Sequence, residues 1–272
     1  MNAPLLVSDR GAWPMKLDKW PLRELTLKVL DLPAQIAFYE SFGLQILERG
    51  KREAVLGAGE MSLHLKQLPG GKQRPPRTAG LYHFALLLPA RQTLGAFLRA
   101  AYLNQWHFAG SADHLVSEAL YFYDPEGNGI EVYADRPAES WDWSDGTVKM
   151  ATWALDLDEL TQLSGPEWNG FPPGTKLGHM HLTVSDLDRS QEFYESLGMN
   201  VTLDWGTFRF MSWDGYHHHV GINLVEGRKA ALVTPEISGL ESFSLERDSV
   251  QRKIVDPNGI ALKQYGAVRK AS

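Results

Sequence analysis

The chain has no cysteine. Disulfide scaffolds, thiolate nucleophiles and Cys-held zinc or iron–sulfur sites are therefore excluded, and any metal must be held by histidine and carboxylate. An excess of positive charge is also absent: 27 Lys and Arg stand against 33 Asp and Glu, a formal net charge of -6. That balance offers no electrostatic footprint for a polyanion, so nucleic acid is not expected as a partner. Long apolar runs are missing too. No window approaches the ~18 apolar residues of a membrane span, and Met1 to Lys19 lacks the basic start and apolar stretch of a signal peptide. The expectation is a cytoplasmic protein with no membrane partner. What is present is ordinary globular composition, 43% hydrophobic and 22% charged with 25 Gly and 15 Pro in 272 residues. That length admits one large domain or two of the usual size, about 100 to 200 residues each.

An internal repeat organises the chain. LRELTLKVLDLPAQIAFYESFGL, starting at Leu22, aligns without a gap on LGHMHLTVSDLDRSQEFYESLGM, starting at Leu177, with Phe38/Phe193, Tyr39/Tyr194 and Gly43/Gly198 among the identities. Each copy opens with the alternation of a half-buried strand, passes an Asp (Asp31 or Asp186) able to cap a helix, and continues at helical spacing to a Gly that ends it. Leu44 to Lys66 and Met199 to Leu224 then alternate apolar and polar residues around Gly-containing turns, as antiparallel strands do. The unit is β-α-β-β-β. We read the two Phe-Tyr pairs as core residues without chemistry.

A second, weaker unit follows each copy. Gly80 to Tyr133 offers the strand LYHFALLL, an apolar helix near Leu94 to Leu103, and SEALYFYDPEGNGIEVY, two strands around an Asp-Pro/Gly-Asn-Gly turn. Gly239 to Tyr265 offers GLESFSLE and KIVDPNGIALKQY, with no room for a helix and a further strand. The expected fold is therefore α+β, four βαβββ modules with the last one truncated. The expected organisation is an N-terminal half over 20–134, a Trp-rich and turn-rich linker over 135–176, and a C-terminal half over 177–268. The linker's tryptophans suggest packing between halves, with a substrate-covering role as the lesser alternative.

These segments resemble the vicinal oxygen chelate superfamily of glyoxalases, bleomycin and fosfomycin resistance proteins and extradiol dioxygenases. The resemblance runs from Leu22 to about Tyr265. GLYHFALLLP, DHLVSEALYFYDPEGNGIEVYADRP, GHMHLTVSDL and GYHHHVGIN together resemble most the four-module catechol 2,3-dioxygenase-like proteins. It implies modules whose sheets curl around a cleft, with metal ligands on the first and last strands of modules.

In that family one module supplies a His on its first strand, and its partner supplies a His on its first strand and a Glu on its last. Two His and one carboxylate on one face suit iron(II), or alternatively manganese(II), with open positions left for substrate and oxygen. Module 1 holds Glu24 at the matching position; module 2 holds His83 and Glu131; module 3 holds His179, with His181 on the same face; module 4 holds Ser242 and Lys263. Only modules 2 and 3 together complete the set of His83, Glu131 and His179, which implies that module 2 pairs with module 3 and module 1 with module 4. If modules paired in chain order instead, the first cleft would offer Glu24, His83 and Glu131, a more glyoxalase-like set.

Taken singly, these residues have plainer readings: a His in an apolar strand is often a satisfied core residue, and a Glu at a strand end a solvated acid. Their joint match to the resemblance favours ligands. The resemblance further matches His218, in YHHHVGIN, to an acid/base histidine, and Tyr121 to a tyrosine that bonds substrate oxygen; His114 is another candidate donor. Alternation places His217 and His219 on one face of that segment and His218 on the other. The implied function is a metal-dependent extradiol ring-cleaving dioxygenase acting on a small aromatic diol with O2. The alternatives are a glyoxalase-like isomerase and a metal-free binding protein of the antibiotic-resistance type. Sheet edges left by the short module 4 need cover, which leaves a homo-oligomer open.

Overall fold

The computed structural model of the chain describes residues 20–163, 165, 167–246 and 252–265. Module 1 consists of β1 (Glu24–Val29), α1 (Leu32–Phe42), β2 (Gln45–Arg49), β3 (Glu53–Ala58) and β4 (Met61–Gln67). Module 2 consists of β5 (Gly80–Leu88), α2 (Arg91–Asn104), β6 (Phe108–Asp113), β7 (Ser117–Tyr123) and β8 (Gly129–Asp135). The connecting segment carries a two-stranded ribbon of β9 (Trp143–Ser144) and β10 (Thr147–Val148), then a short α3 (Leu157–Gln162). Module 3 repeats the pattern as β11 (Lys176–Thr183), α4 (Leu187–Ser196), β12 (Asn200–Asp204), β13 (Phe208–Ser212) and β14 (Val220–Asn223). Module 4 has, among the described residues, only β15 (Gly239–Glu246), β16 (Arg252–Val255) and β17 (Ala261–Tyr265).

Local chemistry sets the helix ends. The Asp31 carboxylate accepts the Ala34 N–H and the Asp186 carboxylate accepts the Arg189 N–H, each satisfying a donor that the first helical turn leaves unpaired. Gly43 closes α1 at φ 112, a left-handed conformation that a Cβ would strain. In the second copy α4 ends one residue earlier, with Leu197 as cap and Gly198 following at φ 85.

Two sheets result, one in the order β16-β17-β15-β1-β4-β3-β2 and one in the order β12-β13-β14-β11-β5-β8-β7-β6. Each takes strands from both halves of the chain: module 1 is joined to module 4, and module 2 to module 3. At the second seam β5 runs antiparallel to β11, with His83 opposite His181 and Ala85 opposite His179, and parallel to β8, with Ala85 beside Glu131. At the first seam β15 runs antiparallel to β1, with Ser242 opposite Thr26, and parallel to β17, with Ser244 beside Lys263.

Modules that follow one another in sequence are held through their helices and turns. Phe42 of α1 is fully buried against Phe97, Trp106 and Phe122 of module 2, at centroid distances of 5.2, 4.8 and 5.3 Å. A large-to-small change there would cost about 3–5 kcal/mol. The Tyr39 hydroxyl donates to Asp124 at 2.9 Å, and that carboxylate also accepts from the Glu126 and Asn128 N–H groups and the Asn128 amide, which organises the Asp-Pro turn. Tyr194 makes the equivalent but longer bond to Asp256, at 3.4 Å. The tyrosine of each repeated Phe-Tyr pair thus fastens its helix to the turn of the next module.

Candidate metal centre

Side chains two apart on a strand share a face. The register above therefore brings His83 of β5, Glu131 of β8, and His179 and His181 of β11 to the same concave side of the second sheet. His83 Nε2 lies 2.9 Å from Glu131 Oε2, His179 Nε2 lies 3.2 Å from the same oxygen, and the two Nε2 atoms are 3.3 Å apart. All three side chains are buried. This is the one such cluster among the described residues.

The donor set fits a divalent ion. Ligand atoms about 2.1 Å from one ion and at right angles to each other are about 3 Å apart, close to the three separations found here. Burial pushes the Glu131 carboxyl up, but the His179 and His83 rings outweigh burial and hold it well below the usual carboxylate range. Burial presses His179 down to about 4, against the upward pull of Glu131. At neutral pH the Glu131 carboxylate thus faces a neutral His179 ring, the states in which these two groups ligate a cation. His179 Nδ1 has no hydrogen-bond partner, so this ring is held by packing between Tyr133 and His218, at centroid distances of 5.0 and 4.1 Å, rather than by the acceptor that usually anchors a ligand histidine.

The cluster forms part of the wall of a cavity of about 510 Å³. Phe208, Phe210 and Ile130 supply apolar wall, while Tyr82, Tyr123 and Trp205 line the cavity and are also 36–44% exposed, which places them toward its mouth. Met150 and Thr152 of the connecting segment line it too, while the tryptophans of that segment do not, Trp141 packing instead on Tyr216 and His217. His181 lines the cavity with its ring 4.8 Å from that of His83, and its buried Nε2 has no partner. Burial, then the neighbouring His83 and His179, hold it well below the ordinary histidine value. Among the lining residues there is one carboxylate, Glu131, and no Lys or Arg.

His218, Tyr121 and His114 all line this cavity. His114 Nδ1 is 2.7 Å from the Ala151 carbonyl, which can only accept, so the proton is on Nδ1. Its Nε2 then accepts the Tyr121 O–H at 2.7 Å, leaving the tyrosine oxygen's lone pairs for the cavity. Burial, followed by the Glu131 charge, pushes the Tyr121 hydroxyl well above its usual range. The histidine run differs from expectation in one respect: residues 213–219 form bends that precede β14 rather than strand. Gly215, at φ 80, and the bond from Tyr216 N–H to Asp214 break the ladder. The outcome for the faces is nonetheless the alternating one, with His218 on the cavity and His217 and His219 fully buried away from it.

Glu24 stands in the other sheet, where Lys263 Nζ donates to its Oε1 at 2.8 Å. It does not complete a set with His83 and Glu131. The rim aromatics escaped sequence reading because their alternation is that of any strand. His181 carried a usable signal, being two residues beyond His179.

Known proteins give the same reading of the chain. Residues 22–132 match the model of the Glyoxalase/Bleomycin resistance protein/Dioxygenase superfamily. A catechol-2,3-dioxygenase of Bacillus subtilis (strain 168) is 39% identical over 228 residues, covering 80% of each chain. Among solved structures, a protein of Bacillus subtilis subsp. subtilis str. 168 shares the fold at a TM-score of 0.58 and 11% identity, over 94% of this chain and 86% of its own. Glyoxalase I from Zea mays does so at 0.54 and 15%, over 90% and 91%.

Proposed function

The chain belongs to the glyoxalase/bleomycin resistance protein/dioxygenase superfamily, and from that premise we propose that it is a metal-dependent extradiol dioxygenase, cleaving the ring of a catechol-type substrate with O2. The observation that carries this reading is the convergence of His83, Glu131 and His179 within about 3 Å of one another in the wall of an apolar cavity. Iron(II), or alternatively manganese(II), held by these three side chains would supply open positions at which a diol and O2 meet.

The chain's own residues divide the remaining work. His218, at the cavity, takes a proton from the diol as it binds and returns it as the ring opens. Tyr121, its O–H engaged in the bond to His114, accepts from a substrate hydroxyl and so fixes the ring's orientation. The phenylalanines of β13 exclude water around the reacting carbons. A cavity of about 150 Å³ holds a benzene; this one is more than three times larger, so the diol carries a substituent. No Lys or Arg stands among the described lining residues, which suits an uncharged substituent.

A glyoxalase-like isomerisation needs a carboxylate base besides the ligand carboxylate, and the cavity lining offers none. Metal-free binding gives no reason for three titratable groups to meet in a buried cluster. The test is oxygen uptake by protein reconstituted anaerobically with iron(II), using catechols with apolar and with carboxylate substituents. Ring-cleaved product from the apolar series supports the proposal; an inert, metal-loaded protein across the series refutes it.

A further inference from the structure

Beyond the cavity, a buried polar chain begins at His218 and leads away from the metal cluster. His218 Nδ1 is 2.7 Å from His217 Nδ1, and His217 Nε2 is 3.0 Å from Asp135 Oδ1 at the end of β8. The same carboxylate accepts the Tyr216 hydroxyl at 2.9 Å, and the Tyr216 and Tyr133 hydroxyls are 2.7 Å apart. We propose that Asp135 and His217 are positioning residues that set the tautomer of His218, so that its Nε2 faces the cavity without a proton; this rests on the reading of His218 as the acid/base of the ring-cleavage site.

With both imidazoles uncharged, as a base at the cavity requires, the direction of every bond follows from the fact that a carboxylate can only accept. His217 must therefore carry its proton on Nε2, which leaves the lone pair of the neutral ring on Nδ1. Two lone pairs cannot face each other at 2.7 Å, so His218 carries its proton on Nδ1. Its Nε2 is then the lone-pair nitrogen, with no hydrogen-bond partner among the described residues. Tyr216 gives its one proton to Asp135, so Tyr133 donates to Tyr216. The logic is that of a carboxylate behind a catalytic imidazole, which fixes both tautomer and ring orientation.

Packing keeps the chain in this arrangement. His217 is fully buried, with the Tyr216 ring 4.0 Å and the Trp141 ring 5.2 Å from its own. Gly178 leaves room for the Tyr133 hydroxyl, which a Cβ at that position would strike. The Asp135 side chain keeps 22% exposure, so the chain joins the cavity to a carboxylate in touch with solvent.

The test is nitrogen-15 histidine NMR of the full chain, both metal-free and loaded with zinc as a diamagnetic ion, with His218 assigned by difference against His218→Gln. The expected wild-type signature is a His218 protonated at Nδ1 with a bare Nε2. Asp135→Asn, which adds a donor where only an acceptor stood, should populate the other tautomer and lower kcat on the order of 10²-fold, with KM within about twofold. His217→Gln can accept from His218 Nδ1–H through its amide oxygen, and should keep the tautomer and most of kcat. A wild-type His218 protonated at Nε2 overturns the proposal, as does an Asp135→Asn that loses kcat with the tautomer unchanged. The wild-type spectrum decides even if a variant fails to fold. A chain with the expected tautomer that cleaves no catechol upholds this chain of bonds and refutes the ring-cleavage reading instead.

Discussion

In the eight-stranded sheet, the seam of β5, β8 and β11 presents His83, Glu131 and His179. Counted by the same register, the seam of β15, β17 and β1 in the seven-stranded sheet presents Ser242, Lys263 and Glu24. There Lys263 Nζ lies 2.8 Å from Glu24 Oε1 and 3.4 Å from Thr26 Oγ1, while the buried Ser242 hydroxyl has no partner. His64 stands 3.7 Å from Glu24 on the neighbouring strand. Both seams bring side chains from three strands to one face. One gathers a carboxylate and imidazole nitrogens and needs a cation from outside; the other carries its cation on its own chain. The backbone makes a meeting point twice, and the side chains decide whether a metal is wanted there.

The largest effect should come from removing the charge that distinguishes the seam of β5, β8 and β11. Glu131→Gln is expected to lose oxygen uptake by at least about 10³-fold together with its metal, since two buried histidines alone do not neutralise a divalent ion. Oxygen-uptake rates and elemental analysis on the same preparation check this; full turnover in the variant would break the comparison. The converse change sharpens it. A chain carrying Glu24→His, Ser242→His and Lys263→Glu is expected to bind about two metals instead of about one, because register and chemistry then agree at both seams. A count that stays at one would show that the two meeting points differ in backbone geometry.

The next effect is on stability with pH in the metal-free protein. His179 titrates near 4 when folded and near its ordinary 6.5 when unfolded. Between those values the unfolded chain holds a proton that the folded chain does not. The contribution of this group to stability should therefore rise with pH from about 4 to 6.5, by at most about 3 kcal/mol, and be level above that window, and His181, also pressed down by burial, adds in the same sense. Glu131, held below its ordinary value, acts in the same sense at lower pH: its contribution is present above about 4.5 and is lost as pH falls. Urea midpoints across this range, with His179→Gln flattening the rise, are the check.

The smallest effect concerns the helix fastenings. Tyr39→Phe should destabilise by about 2 kcal/mol, since it removes a 2.9 Å donor from a buried carboxylate. Tyr194→Phe should cost less than about 1 kcal/mol, because its bond is 3.4 Å long. Thermal unfolding of the two variants side by side gives the order.

Sequence reading reached the architecture through the repeat, whose Asp caps, Phe-Tyr pair and Gly stop recur at fixed spacing. The partnership of modules 2 and 3 was legible through complementarity, because neither half holds a full ligand set. β6 was not legible: FAGSAD is short and rich in small residues, and its strand form comes from pairing with β7. Nor were β9, β10 and α3, which are short elements between longer ones. Lys263 was visible where a Glu was expected, but its bond to Glu24 spans 239 positions and no local pattern announces it. The same holds for His217 and Asp135, 82 positions apart. The resemblance singles out His218, and alternation only separates it from His217 and His219, whereas what sets its proton comes from a strand end in another module.

Metal content tests the central claim most directly: elemental analysis of protein reconstituted anaerobically with iron(II), wild type beside His179→Ala. The account predicts about one metal per chain in the wild type and loss of it in the variant, because His179 is the ligand that module 3 brings to the pair on module 2. Metal retained at full stoichiometry in His179→Ala would contradict it, and would mean that the ion is held somewhere other than the seam between β5, β8 and β11.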